Sequence, residues 1–518
     1  MSTLNTLLGF AKRIPGVANL ANRVASNKLA SATTPRPHSY SLWSPLDKVD
    51  SSPSNYLTWH TVTDKNYFDR HLAPADDRFM KALPSNEGTT EFPFGEVTAL
   101  FERKHGMKKD RSSVFFMFVA QWFTDGFFRS SHLDFRQTTS NHNIDLAQIY
   151  GSNEAVALML RSGEGGKLRS QMKEGEEYPD TLGELDGDGV WQVKDRYKNL
   201  PYIADKEWME SIFGGLSDSQ KAKLFATGLE RGNSIVGHMV MSTLFLREHN
   251  GICDQLASRN PSWDDDRLFH TARIINTVIL MKLIIEDYVN HIAGLDVLVM
   301  DTSFVEKQQW YRTPWIAAEF NLLYRWHGLV PDALKIAGRD ESLVKNFDLL
   351  TNEGLSNLLE ASTLQVAGKI SLDNVPGFLM PAEQAMINKG RDWRLGSFND
   401  YRVKFGLSRL ESFDQLTDDA NLNRSLKALY SDIDNLELTV GLFAEDGSST
   451  LTGELQTAMV AYDALTQIYT NPLLAKENFC DKHFTAYGME RIEATKSFQD
   501  LSDRNTKRRV KVSVERQK

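Results

Sequence analysis

The stretch FFMFVAQWFTDGFF, residues 115–128, limits the fold of this chain more than any other segment. It is apolar nearly all the way round at helical spacing, so a helix here has no face to offer water and must lie inside a large core. Two polar side chains nevertheless fall on it, Gln121 and Asp125, one turn apart. A buried amide or carboxylate without a partner is costly, so a polar cavity beside that face is expected.

Helical periodicity continues through most of the chain, with runs near 218–230, 236–257, 264–293, 313–327, 354–367, 382–389 and 454–470. Strand-like alternation is scarce. The fold class expected is therefore mainly α with few short strands. No long Pro/Gly/Ser linker interrupts the chain after residue 60, which favours one large body over several domains. The organisation expected is a basic amphipathic arm at 1–36, a catalytic body at 37–500 and a solvated basic tail at 501–518.

The net charge of −9 gives no sign of a nucleic-acid partner. Cys253 and Cys480 lie far apart without CxxC spacing, so neither a disulfide framework nor a zinc site is indicated, and a reducing, cytoplasmic setting fits. The arm carries Lys12, Arg13, Arg23 and Lys28 among apolar residues, with no acidic residue before Asp47. It reads either as a helix on an anionic membrane face or as a solvated or tail-docking segment. The apolar run VILMKLII at 278–285 holds Lys282 and is too short to span a bilayer. GELDGDGV near Asp186 lacks calcium-loop spacing and reads as a tight turn, and no GxGxxG, P-loop, HExxH or GxSxG context occurs.

The second decisive segment is FNLLYRWHGLVPD, residues 320–332. Thr313 and Pro314 suit a helix start, and Gly328 and Pro331 suit its end. A helix over 313–327 would align Ile316, Phe320, Tyr324 and His327 on one buried face. A buried histidine or tyrosine is most often a satisfied core residue. Set against the Gln121 and Asp125 helix, the pair has another use: one axial ligand and one distal polar face are what a haem held between two helices requires.

At this point the sequence resembles the peroxidase–cyclooxygenase superfamily, which includes prostaglandin H synthases, animal haem peroxidases and fatty-acid α-dioxygenases. The resemblance runs in order through SLWSPLDKV, AQWFTDGFF, IDLAQIYGS, LFLREHNGICD, PSWDDDRLFHTARI, IIEDYVNHIAG, AAEFNLLYRWHGLVPD, RDWRLGSFNDYRVKFGL and LYSDIDNLEL. It implies a haem b cofactor with His327 as the axial ligand, and it makes Asn399 the residue that orients the imidazole. It makes Tyr324 the tyrosine oxidised to a radical, Tyr288 its hydrogen-bonding support, and Tyr430 a tyrosine near the proximal histidine. The radical then abstracts hydrogen from a bound lipid, and O2 adds to the carbon.

Departures from the family pattern carry as much weight. Gln121 is kept, but the position four residues on, a histidine in cyclooxygenases and animal peroxidases, is Asp125. An aspartate titrating near 4 is a poor base for exchanging a proton with peroxide; burial in an apolar helix would raise it and leave Asp125, with Gln121, a weak acid–base catalytic pair, so low peroxidase turnover is expected. Ala25 stands where cyclooxygenases place a carboxylate-binding arginine, with Arg23 close by; Leu295 replaces a tyrosine and Ala464 the serine that aspirin acetylates. Strict prostaglandin synthesis is therefore not expected. Gly126 replaces a calcium-binding aspartate, so calcium is not expected there. Arg231 falls near a distal arginine of the peroxidases but reads rather as a surface charge at a helix bend; His249 reads as structural, and nothing singles out His132, His142 or His238.

The function expected is a haem-dependent dioxygenase that inserts O2 into a fatty acid or related lipid to give an oxylipin, started by a peroxide activator, with a homodimer left open. The alternatives are a peroxidase of small aromatic donors and a redox-attenuated haem-binding homologue.

Overall fold

The computed structural model describes residues 17–32, 65–88, 94–131, 134–447 and 450–516. The helices that place the site are α1 (Val17–Ala30), α2 (Val114–Phe127), α3 (Val236–Arg259), α4 (Asp265–Leu283), α5 (Ala318–Leu323), α6 (Leu355–Leu364), α7 (Met380–Asp392), α8 (Phe398–Lys404), α9 (Leu438–Ala444) and α10 (Glu454–Tyr469). Other short helices lie between and after them. Strands occur as two-stranded antiparallel pairs, including β1 (Lys109–Ser113) with β2 (Val366–Gly368). The chain is mainly α, as its periodicity implied.

The apolar stretch forms α2. Ser113 caps it by accepting from the Phe116 N–H at 3.1 Å, and Val114 through Val119 are all buried. Its neighbour α3 crosses closely because Gly237 has no side chain: a Cβ there would sit 2.4 Å from the Phe118 ring. Asp264 caps α4, which runs on through a wider π turn at Ile284–Val289 to Ala293. The run VILMKLII lies inside the span Asp265–Ala293, whose 29 residues are long and apolar enough to cross a membrane, but whose apolar window is 78% buried inside the fold, where it serves as core.

Two further expectations change. The run 218–230 yields only a short helix, Asp218–Lys221, followed by turns. The terminal segment is no solvated tail. Leu501 and Ser502 are buried in the helix Phe498–Asn505, and Val510, Val512 and Val514 are buried beyond it. The Val514 carbonyl accepts from Ser113 N–H at 3.0 Å, and Arg516 N–H donates to the Arg111 carbonyl at 2.7 Å, so this end adds to the β1 edge. Alternating valines in RVKVSV carry the period of a strand, which outweighs the basic charge between them.

Of the arm, residues 17–32 are described; residues 1–16 and 33–36 lie outside the described residues. Helix α1 packs on α10 through buried Asn22, Ser26 and Ala30, and turns Val17, Leu20 and Val24 outward. GELDGDGV is a hairpin turn in which the Asp186 carboxylate accepts from the N–H groups of Asp188 and Val190, each at 3.0 Å.

Candidate active site

One cleft of about 370 Å³ gathers most of the residues picked from the sequence: Gln121 and Asp125 from α2, Tyr324 and His327 from the segment after α5, and Arg231 from the turn before α3. Phe128, Ile235, Leu329 and Leu379 supply apolar wall between them.

The Tyr324–His327 segment is built differently from expected. Helix α5 covers only Ala318–Leu323; Tyr324 caps it at φ −98°, ψ 23°, and His327–Leu329 form a separate 3-10 turn. A continuous helix would give the Leu323 carbonyl to the His327 N–H. Instead the Gln456 side chain of α10 donates to that carbonyl at 2.7 Å, and the ladder ends there. The His327 turn is then held from behind. Asn374 Nδ2 donates to the Gly328 carbonyl at 3.3 Å, Arg103 Nη2 donates to the Val330 carbonyl at 2.8 Å, and β2 comes so near that a Cβ on Gly368 would overlap the Gly328 carbonyl.

His327 Nδ1 lies 2.6 Å from Glu383 Oε1, and Glu383 is fully buried on α7. A carboxylate can only accept, so Nδ1 carries the proton and Nε2 keeps the lone pair. This corrects the assignment of Asn399. The Asn399 amide is consumed elsewhere, donating to the Leu410 carbonyl at 2.9 Å and to Asp434 at 2.6 Å while accepting from Leu410 N–H at 2.9 Å. The Tyr430 hydroxyl is likewise engaged elsewhere: it donates to Glu437 at 2.6 Å, and Glu437 pairs with Arg391 further along α7.

Tyr324 is buried, and its hydroxyl has no partner among the described residues. Burial, reinforced by the Asp463 charge, holds its phenol above the ordinary range. Its ring packs on Phe128, Phe320 and Trp326, with Trp326 at 4.7 Å. Tyr288 sits in the π turn with its hydroxyl also unpartnered, so no Tyr288–Tyr324 hydrogen bond forms. The Trp326 ring contacts both tyrosines, stacking on Tyr288 at 6.4 Å.

On the α2 wall, Gln121 Oε1 is buried without a partner among the described residues. Asp125 Oδ1 stands 3.8 Å from Arg231 Nη1, so Arg231 reaches into the cleft mouth. Arg325 also lines the cleft, donating to Asn321 at 2.7 Å; burial, then the nearby Arg231 charge, pulls its guanidinium down to about 10. At Gly126 a Cβ would lie 2.6 Å from Gln148 Nε2, which donates to the Trp122 carbonyl at 2.7 Å. Arg23 is already paired, with Asp301 at 2.7 Å and Ser303 at 2.9 Å. His249 is structural: its two ring nitrogens contact Tyr150 OH and the Gly166 carbonyl, each at 2.9 Å.

Sequence reading missed Glu383, Arg325, Trp326 and His238. Glu383 carried a usable signal, since it is a carboxylate on the inward side of an amphipathic helix. His238, taken up below, had none.

These donors suit a haem. A nitrogen ligand held in one tautomer on one wall, a polar amide opposite and apolar surface between are the chemistry a porphyrin iron needs. Comparison with known proteins agrees. The animal haem peroxidase family profile matches residues 108–516. Prostaglandin G/H synthase 2 of Gallus gallus is 30% identical, covering 98% of this chain and 81% of that protein. Among solved structures, the fatty acid alpha-dioxygenase of Oryza sativa superposes with TM-score 0.67 at 16% identity, over 97% of this chain and 94% of that one, and a variant of it has been solved with palmitic acid. Peroxidase A of Dictyostelium discoideum gives TM-score 0.67 at 18% identity, over 87% and 95% of the two chains.

Proposed function

This chain belongs to the animal haem peroxidase family, a family of haem oxidoreductases, and from that premise we propose that it is a dioxygenase of fatty acids or related lipids that works through a radical on Tyr324. The observation that carries the reading is a single cleft lined by His327, with Nδ1 taken by Glu383 and Nε2 left as donor, and by Tyr324 with its unpartnered hydroxyl.

His327 would hold the iron of haem b, and Arg231 and Arg325 would offer positive charge to the carboxylates of the porphyrin. The bound haem supplies one-electron oxidising power once a peroxide has reacted with it. Tyr324 cannot shed its proton beforehand, because burial keeps the phenol protonated, so it gives up proton and electron together. The phenoxyl radical takes a hydrogen atom from a substrate C–H bond, restoring the phenol, and O2 adds to the carbon radical. The resulting peroxyl radical takes a hydrogen atom from Tyr324, which yields the lipid hydroperoxide and regenerates the phenoxyl radical. The aromatic cluster of Phe128, Phe320 and Trp326 shields that radical from water. Trp326, adjacent to His327 in sequence and in ring contact with Tyr324, gives an electron a short path.

The fatty-acid class draws support from the Oryza sativa enzyme's named substrate. Contact with a membrane draws support from Val17, Leu20 and Val24, exposed along one stripe of α1, and a cytoplasmic setting from the free thiols Cys253 and Cys480. Calcium is not proposed near Gly126, where Gln148 occupies the space a ligand side chain would take.

The test is oxygen consumption by haem-loaded protein against a fatty-acid panel with trace peroxide. Wild type should consume oxygen with at least one acid, and Tyr324→Phe should not, while its haem absorbance is unchanged. Oxygen uptake that survives in Tyr324→Phe rejects the radical role. Dye oxidation by peroxide without any lipid-dependent oxygen uptake supports the small-donor peroxidase instead.

A further inference from the structure

The cleft contains a histidine that the family resemblance does not supply. His238 opens α3, is 6% exposed and lines the same cleft as Gln121, Asp125 and His327. Its Nδ1 is 2.9 Å from the Arg231 carbonyl and 2.7 Å from Ser234 Oγ. A carbonyl oxygen can only accept, so the ring proton sits on Nδ1 and the lone pair on Nε2. That Nε2 is buried without a hydrogen-bond partner among the described residues. A bare imidazole nitrogen kept in a cavity wall is costly unless something that enters the cavity uses it.

We propose that His238 Nε2 is the proton acceptor of this cleft, serving where Asp125 cannot; the proposal rests on the haem-site reading above. A hydroperoxide entering the cleft passes its O–H proton to Nε2. The O–H bond breaks with its electron pair left on oxygen, the N–H bond forms, and the ring becomes imidazolium. The Arg231 carbonyl, already accepting from Nδ1, stabilises that cation. The charged and titratable groups lining the same cleft are Asp125, whose negative charge favours the cation, Arg231, Tyr324, Arg325 and His327. The Asp125 carboxylate is engaged otherwise, facing the Arg231 guanidinium at 3.8 Å. Ser234 is a positioning residue, fixing the ring through Nδ1.

Cyanide binding isolates the proton step without turnover. Hydrogen cyanide binds ferric haem as the anion, so its association needs a base in the pocket. Stopped-flow Soret changes on the full-length, haem-loaded protein should give an association rate at pH 7 that drops about 100-fold in His238→Leu. Asp125→Asn should stay within about threefold of wild type, well short of a general-base effect. Ser234→Ala should displace the pH midpoint of the rate, which keeps the test alive if His238→Leu does not fold. A His238→Leu rate within about threefold of wild type, an unmoved midpoint in Ser234→Ala, or a loss in Asp125→Asn that matches the His238→Leu loss would each overturn the proposal. A wild-type protein that takes up no haem removes the haem reading as well; a haem-loaded protein whose cyanide kinetics ignore His238 removes this proposal alone.

Discussion

Replacing Glu383 probes how the fold prepares His327 for iron. The Glu383 carboxylate meets His327 Nδ1 at 2.6 Å inside the protein, and its second oxygen, Oε2, has no partner among the described residues. A hydrogen bond to a charged group contributes about 1.5–3 kcal/mol. Alanine removes the acceptor, unlocks the ring orientation and leaves the imidazole N–H unpaired, so haem affinity should fall about 10–100-fold. Glutamine keeps an acceptor but loses the charge; since charge-assisted bonds are about twice as strong as neutral ones, the loss should be on the order of 1 kcal/mol, near fivefold. The assay is titration of apo-protein with haemin, read at the Soret band, together with the iron–histidine stretch of the ferrous protein by resonance Raman. The stretch should fall in frequency from wild type to Glu383→Gln, because a carboxylate makes the imidazole a stronger donor. Wild-type affinity and an unmoved stretch in Glu383→Ala would refute the assignment. In Asn399→Ala both should stay at wild-type values, since that amide serves Leu410 and Asp434.

Other outcomes follow from the same structure. Adding Asp125→His to His238→Leu should restore peroxide-driven dye oxidation by at least about tenfold, because a histidine on α2 can then exchange the proton; no recovery would show that position 125 faces away from the reacting oxygens. Val512→Asp places a charge in the buried terminal segment and should cost at least about 2 kcal/mol of stability, read as a lowered thermal midpoint; a wild-type midpoint would return this segment to the solvent. Burial pushes the His249 imidazole down to about 4, whereas an unfolded histidine titrates near 6.5. Between those values the unfolded chain binds the extra proton, so stability is intact above pH 6.5 and falls by about 1.4 kcal/mol per pH unit towards pH 4. Urea midpoints should drop over that window, and less steeply in His249→Gln; equal slopes would contradict a neutral buried ring.

The architecture was legible because burial leaves a periodic trace. Stretches such as 236–257 and 454–470 read as helices and are helices. The ends of α5 were not legible, because the helix is cut by a side chain from α10, Gln456, about 130 residues away in sequence. Resemblance located His327, Tyr324, Gln121 and Asp125 in one cleft but misplaced the support of the histidine, since Asn399 and Glu383 exchange roles only through the packing of α7 and α8. The tail was misread from its charge when its alternating valines held the signal. His238 had no sequence signature, because what marks it is one unused nitrogen in a cavity wall.

The most direct measurement is the absorbance of full-length protein supplied with haemin, for wild type and His327→Ala, with imidazole then added to the variant. The account predicts a Soret band in wild type, its loss or marked weakening in the variant, and its partial return when imidazole replaces the missing ring. A colourless wild-type protein, or a His327→Ala variant with the wild-type spectrum and affinity, would contradict it.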